Sequence, residues 1–183
     1  MDREEFTELL DEACSYAVDL YSQKAAYVPS FSLRRVDAES IKQSKTWPNT
    51  THLKDGYGNW DWQDIWWPNR YKKERFFIAM CEGQNVSALF CGRVLHSASE
   101  VRLEYVQRNA NALKVKGVVT PVAVTFAAAL AVAMEMESVV ICDPAPKIVQ
   151  HYNDHMNGIA TMKYKKDVVT AISARAESLI GYE

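Results

Sequence analysis

Hydrophobic and polar positions alternate along the chain in two periods, and these divide it into elements. Phe6, Leu9, Leu10, Ala13, Ala17, Leu20 and Tyr21 recur at helical spacing and predict a helix over residues 2–26. Its first turn is acidic, which suits the helix dipole, and Pro29 ends it. Phe31–Val36 alternates as a short strand. Asp37 caps a brief helix through Lys45, with Glu39 and Ser40 in its first turns. Residues 76–81, 86–95 and 101–106 read as three strands, with Gly92 marking a bulge. The short connections at 82–85 and 96–99 make them an antiparallel meander. A helix from about Thr120 to Glu137 and the apolar strand Val139–Cys142 follow. A strand–helix–strand crossover of that length implies parallel pairing. Asp143–Pro146 leads into a helix from Lys147 to Met156, which Asn157-Gly158 terminates. Residues 161–164 and 168–172 form a closing hairpin, and 173–181 continue as a helix.

Val118–Met134 is apolar apart from Thr120 and Thr125. It is shorter than the ~20 residues of a spanning helix. Its alanines suit close packing of a helix on a sheet, so no membrane partner is expected. The 183 residues are 48% hydrophobic, enough for a core in one domain, 1–183. A net charge of −2 gives no global drive toward nucleic acid. Cys14, Cys81, Cys91 and Cys142 form no C-x-x-C pair, which removes zinc-ribbon and thioredoxin readings. Buried free thiols and an acidic, amphipathic start fit a cytoplasmic protein.

The chemistry gathers at Asn111–Val119. Lys114 and Lys116 are basic, Gly117 lets the backbone approach closely, and a helix starts at once. Free N–H groups at such a start can hold a phosphate, although a plain strand–helix turn has the same pattern. There is no G-x-S-x-G, Walker A or G-x-G-x-x-G motif. His151 and His155 lie one turn apart with Asp154 near, but no third ligand accompanies them, so no metal is expected. All five tryptophans lie between Trp47 and Trp67, with a short helix around 62–67. Trp60, Trp62, Trp66 and Trp67 either line an aromatic pocket or fold this loop onto the core. Lys72, Lys73 and Arg75 beside them suit an acidic or phosphate-bearing acceptor, or are solvated.

From Phe31 to Ile172 the order of elements resembles the GNAT family of N-acetyltransferases. Lys114-Val115-Lys116-Gly117-Val118-Val119 stands where that family has Q/R-x-x-G-x-G/A. Lysine replaces Arg or Gln, and Val119 replaces a small residue. Tyr152, within Val149–Gly158, occupies the tyrosine place of L-Y-x-x-x-G-F, without the Phe and with Ala145 where asparagine is usual. The resemblance implies an α/β (α+β) fold: a mixed sheet of an antiparallel meander plus a parallel fifth strand, helices on both faces, and 2–26 as an appended helix. It implies an acetyl-CoA-dependent transfer to a small-molecule or protein amine. The pantetheine arm would lie along Val106, and amides of Val115, Lys116, Gly117, Val118 and Val119 would hold the pyrophosphate, with charge from Lys114 and Lys116. Glu104 would be the general base, or else a surface carboxylate paired with Arg102 or Arg93; Asp143 is the second candidate. Tyr152 would be the general acid, or a packing aromatic. Trp60, Trp62, Trp66 and Trp67 would wall the acceptor groove. A nucleic-acid-directed protein and a non-catalytic interaction protein on the same scaffold are the alternative readings. The acceptor, the acyl group and the oligomeric state are not legible in the sequence.

Overall fold

The computed structural model describes residues 2–24, 29–49, 58–156 and 160–181. The predicted helix end at Ala25 and Ala26, the Asn157-Gly158 stop, and residues 50–57 with His52 and Gly56 lie outside them. Among the described residues six α-helices and seven strands follow in the order α1 (Arg3–Lys24), β1 (Ser32–Arg35), α2 (Ala38–Ser44), α3 (Trp62–Trp66), β2 (Arg75–Glu82), β3 (Asn85–Leu95), β4 (Glu100–Arg108), α4 (Val119–Ala133), β5 (Ser138–Cys142), α5 (Val149–His155), β6 (Thr161–Lys165), β7 (Val168–Arg175) and α6 (Ala176–Ile180). One sheet holds all seven strands in the order β1-β2-β3-β4-β5-β7-β6. Every neighbouring pair is antiparallel except β4 and β5. This is the predicted meander with a parallel fifth strand.

The alternation along β2 sends Phe76 and Ile78 to one face and Phe77, Ala79 and Cys81 to the other. The first face carries the larger core. There α1 contributes Phe6, Leu10, Ala13, Cys14 and Ala17, α4 supplies its alanines and Phe126, and α5 and α6 close the layer. Helix α1 is therefore built into the core. Ala123, Ala127, Ala128 and Ala131 are completely buried. Their single methyl groups let α4 lie close to both the sheet and α1. The opposite face is covered by α2 and α3 through Ile41, Trp62 and the flanking aromatics.

Local signals set most boundaries. Asp37 caps α2 as read, accepting from the Ser40 N–H at 2.8 Å, while the Ser40 hydroxyl completes the box. Asp61 caps α3 through the N–H groups of Gln63 and Asp64. Three boundaries differ from expectation. Helix α4 stops at Ala133, short of Glu137, because Glu135 has a φ of 56° and the Glu137 N–H bonds the Ser99 carbonyl, turning the chain into β5. The segment Pro146–Ile148 is a 3₁₀ turn, so α5 begins at Val149 rather than Lys147. Strand β7 runs to Arg175 because Ile172–Arg175 pairs with β5, and only Ala176–Ile180 is helical.

Candidate active site

Strand β4 pairs with β5 only from Glu100 to Leu103. Strand β5 ends at Cys142, whereas β4 continues to Arg108. Beyond Leu103 that edge of β4 has no partner in β5, and a cleft opens between the two strands. A bulge lies at the point of divergence. Cys91 faces Tyr105 and Gly92 faces Leu103, which leaves Glu104 as the extra residue. The bulge was expected at Gly92, but the additional residue lies across the ladder. Gly92 is what the bulge requires: a Cβ there would stand 1.8 Å from the Arg102 carbonyl oxygen and 2.7 Å from Phe76 Cζ.

Two hollows meet at this point. One, of about 250 Å³, lies in the cleft and is walled by Leu103, Val106, Ile141, Pro144, Ala145 and Tyr152. The other, of about 600 Å³, lies on the α3 side of the sheet and is bordered by Asp64, Asn69, Arg75, Arg93, Arg102 and Tyr105. Trp60, Glu104, Cys142 and Asp143 line both.

Glu104 is mostly buried and takes two guanidinium partners. Arg75 Nη1 donates to its Oε2 at 2.8 Å. Arg93 Nε lies 2.9 Å from Oε1, within ion-pair distance. It is not aligned for an N–H···O bond, so this buried N–H has no acceptor among the described residues. The Arg93 partner was foreseen; Arg102 instead pairs with Glu100. Tyr152 is 7% exposed, and burial pushes its phenol up to about 12, so it keeps its proton at neutral pH. Burial likewise raises the Cys142 thiol to about 11. Asp143 is exposed at the end of β5, with a φ of 43°.

The basic loop lies between β4 and α4. Gly117 has a φ of 81°, which an L side chain tolerates poorly, and nothing within 4 Å would contact a Cβ there. Val115, Val118 and Val119 are buried against Met80, Ala88 and Val122, which anchors the loop. The Val119 side chain is thus part of the core. Lys114 and Lys116 are exposed. No side chain caps α4 at Val118, so among the described residues no side-chain cap accepts from the first N–H groups of this 15-residue helix. Arg108, which sequence reasoning passed over, braces the approach. Its Nη1 donates to the carbonyls of Asn109, Ala110 and Ala112 at 2.9, 3.1 and 2.9 Å.

The four tryptophans of the expected groove wall do not line one hollow: Trp60 meets Trp62 edge-on, and Trp66 and Trp67 form a second pair. Trp60 lines the junction and meets Tyr105 edge-on at 5.1 Å. Trp62 is 2% exposed, and its Nε1 donates to Gln107 Oε1 at 2.8 Å. Trp66 faces a separate hollow beside α1, and Trp67 is 57% exposed beneath the Arg70 guanidinium. His151 and His155 form a ring pair at 4.5 Å. No cluster of three or more metal-binding side chains occurs among the described residues. No helix among them is long and apolar enough to cross a membrane. Arg75, which the sequence suits to an acidic acceptor, is placed beside Arg93 and Arg102 by strand register, and that adjacency of the three is what a single sequence does not carry.

The chain has the fold of the GNAT acetyltransferases of known structure. A GNAT-family acetyltransferase from Staphylococcus aureus Mu50 superposes with a TM-score of 0.58 at 8% identity, covering 80% of this chain and 99% of the other. A spermidine N-acetyltransferase chimera that includes Vibrio cholerae sequence gives 0.58 at 7% identity over 83% and 99%. The PaiA N-acetyltransferase of Thermoplasma acidophilum, solved in complex with coenzyme A, gives 0.56 at 7% identity over 80% and 99%. No protein-family profile and no curated protein matches the sequence.

Proposed function

We propose that this protein is an acetyl-CoA-dependent N-acyltransferase. The observation that carries the proposal is the pair of hollows joined at Trp60, Glu104, Cys142 and Asp143. A two-substrate transfer needs two compartments that share one reacting point. The donor side has features that fit coenzyme A. The unpaired edge of β4 at Val106 offers backbone groups to the amides of a pantetheine arm. Leu103, Ile141 and Pro144 give that arm apolar walls. Amides of Val115, Lys116, Gly117, Val118 and Val119 lead into the uncapped start of α4, where a pyrophosphate gains from the N–H groups and the helix dipole. Lys114 and Lys116 add charge nearby.

Acetyl-CoA supplies the acyl thioester. The protein's part is to orient the acceptor and move two protons. An ammonium with a pKa of ~10.4 is not nucleophilic, so the acceptor must lose a proton. Glu104, at the junction, takes that proton. Tyr152, held protonated by burial, gives one toward the departing sulfur. Trp60 closes the acceptor side. Replacing Glu104→Gln or Tyr152→Phe is expected to lower kcat by about 10² or more while leaving CoA affinity within about twofold. Steady-state kinetics beside calorimetric CoA titration checks this. Unchanged turnover in both variants contradicts the role assignments.

A further inference from the structure

We infer that the acceptor is an amine that carries its own carboxylate, held by a row of arginines on the floor of the larger hollow. The inference rests on the transferase reading above and names its substrate class. In the register of the sheet Arg75 stands directly opposite Arg93, and Arg93 directly opposite Arg102. All three side chains border the same hollow. Like charges placed opposite each other across strands are destabilising. A row of three that serves only the fold has no evident purpose.

The row is not neutralised. Glu104 serves Arg75 and Arg93, and Glu100 serves Arg102 through Nε and Nη2, both at 2.8 Å. Within the row three guanidiniums have two paired carboxylates, one short, and a monoanionic carboxylate supplies the third better than a dianionic phosphate. Arg93 is the least committed of the three. Its side chain is 40% exposed, against 19% and 28% for Arg75 and Arg102, and its Nε–H lacks an aligned acceptor. A carboxylate seated on Arg93 and Arg102 would draw Arg93 from Glu104 and leave Oε1 open to the acceptor's proton. The other charged groups of the hollow are Asp64, on α3, and Asp143, beside the donor cleft. Neither forms an ion pair among the described residues. They suit the cationic end of the same molecule, with Asp143 placing the amine at the junction. A polyamine would bring only positive charge to this row.

The test begins with a CoA titration followed by thermal shift, then measures acetyl-CoA-dependent thiol release with a panel of amines. The panel contains α- and ω-amino acids, the carboxamide of each, 2-aminoethyl phosphate and spermidine. The carboxylate-bearing members are expected to exceed their carboxamides in kcat/KM by about tenfold or more. In Arg93→Gln that ratio is expected to fall to about one, and in Arg93→Lys to be partly kept. A merely structural arginine would lower both members of a pair together and preserve the ratio. A preference for spermidine, the phosphate or the carboxamides overturns the inference. If CoA binds but no panel member is turned over, binding of the same pairs to CoA-saturated protein decides, and equal binding of carboxylate and carboxamide overturns it. Absence of CoA binding removes the transferase reading itself, a distinct outcome.

Discussion

Glu104 shows how one residue's placement depends on another across the sheet. Its strand was legible from alternation, but its position as the extra residue of a bulge was not. That position depends on Gly92, on the neighbouring strand β3, whose missing side chain admits the Arg102 carbonyl. Gly92→Ala is therefore expected to destabilise the fold by about 1–3 kcal/mol or more, because backbone rather than a flexible side chain must yield. Denaturant unfolding checks this, and an unchanged midpoint contradicts the close approach. The tryptophans teach the complementary lesson. Trp60, Trp62, Trp66 and Trp67 read either as one groove wall or as a loop folded onto the core, and composition does not say which way each ring turns. Gln107 on β4 draws the Trp62 indole inward, while Arg70 covers Trp67 outside.

At the scale of elements, periodicity located α1, α2, α4 and all seven strands. It failed where a tertiary bond overrode it, as at the Ser99 carbonyl that ends α4 and the β5 ladder that extends β7. The loop before α4 was legible because its signals are local: one glycine, two lysines and a helix start. Val119 stands where the resembled pattern has a small residue; its burial, with that of Val115 and Val118, shows that these are core contacts reached from a loop. Gly117→Ala isolates the backbone from the packing, because no atom would meet the new methyl group. The variant is expected to lose about 1 kcal/mol of stability from left-handed strain and to bind CoA more weakly. Unfolding and CoA titration of the same sample check both; unaltered CoA affinity contradicts the loop's assignment.

For the whole molecule, the cores on the two faces hold Cys14, Cys81, Cys91 and Tyr152 away from water, while Cys142 is half-buried where the two hollows meet. Burial raises Cys14 to about 12, Cys142 to about 11 and Tyr152 to about 12, and raises Cys91 as well. In the unfolded chain these groups titrate near 9 for a thiol and 10 for a phenol. The folded state thus holds protons that the unfolded state releases. The associated stability is complete below pH 9 and is lost as pH rises from there through about 12. The thermal midpoint is expected to fall steadily above pH 9, and Cys91→Ala to flatten that fall. A midpoint constant from pH 8 to 11 contradicts the burial of these groups.

The claim on which the rest depends is that the cleft between β4 and β5 receives coenzyme A. The most direct measurement is the thermal midpoint of the protein at rising concentrations of acetyl-CoA. At about 100 times the dissociation constant, binding adds about 2.7 kcal/mol, and the midpoint rises by several degrees. The rise is expected to be smaller for Gly117→Ala at the same concentration. A midpoint that does not move at millimolar acetyl-CoA contradicts the account.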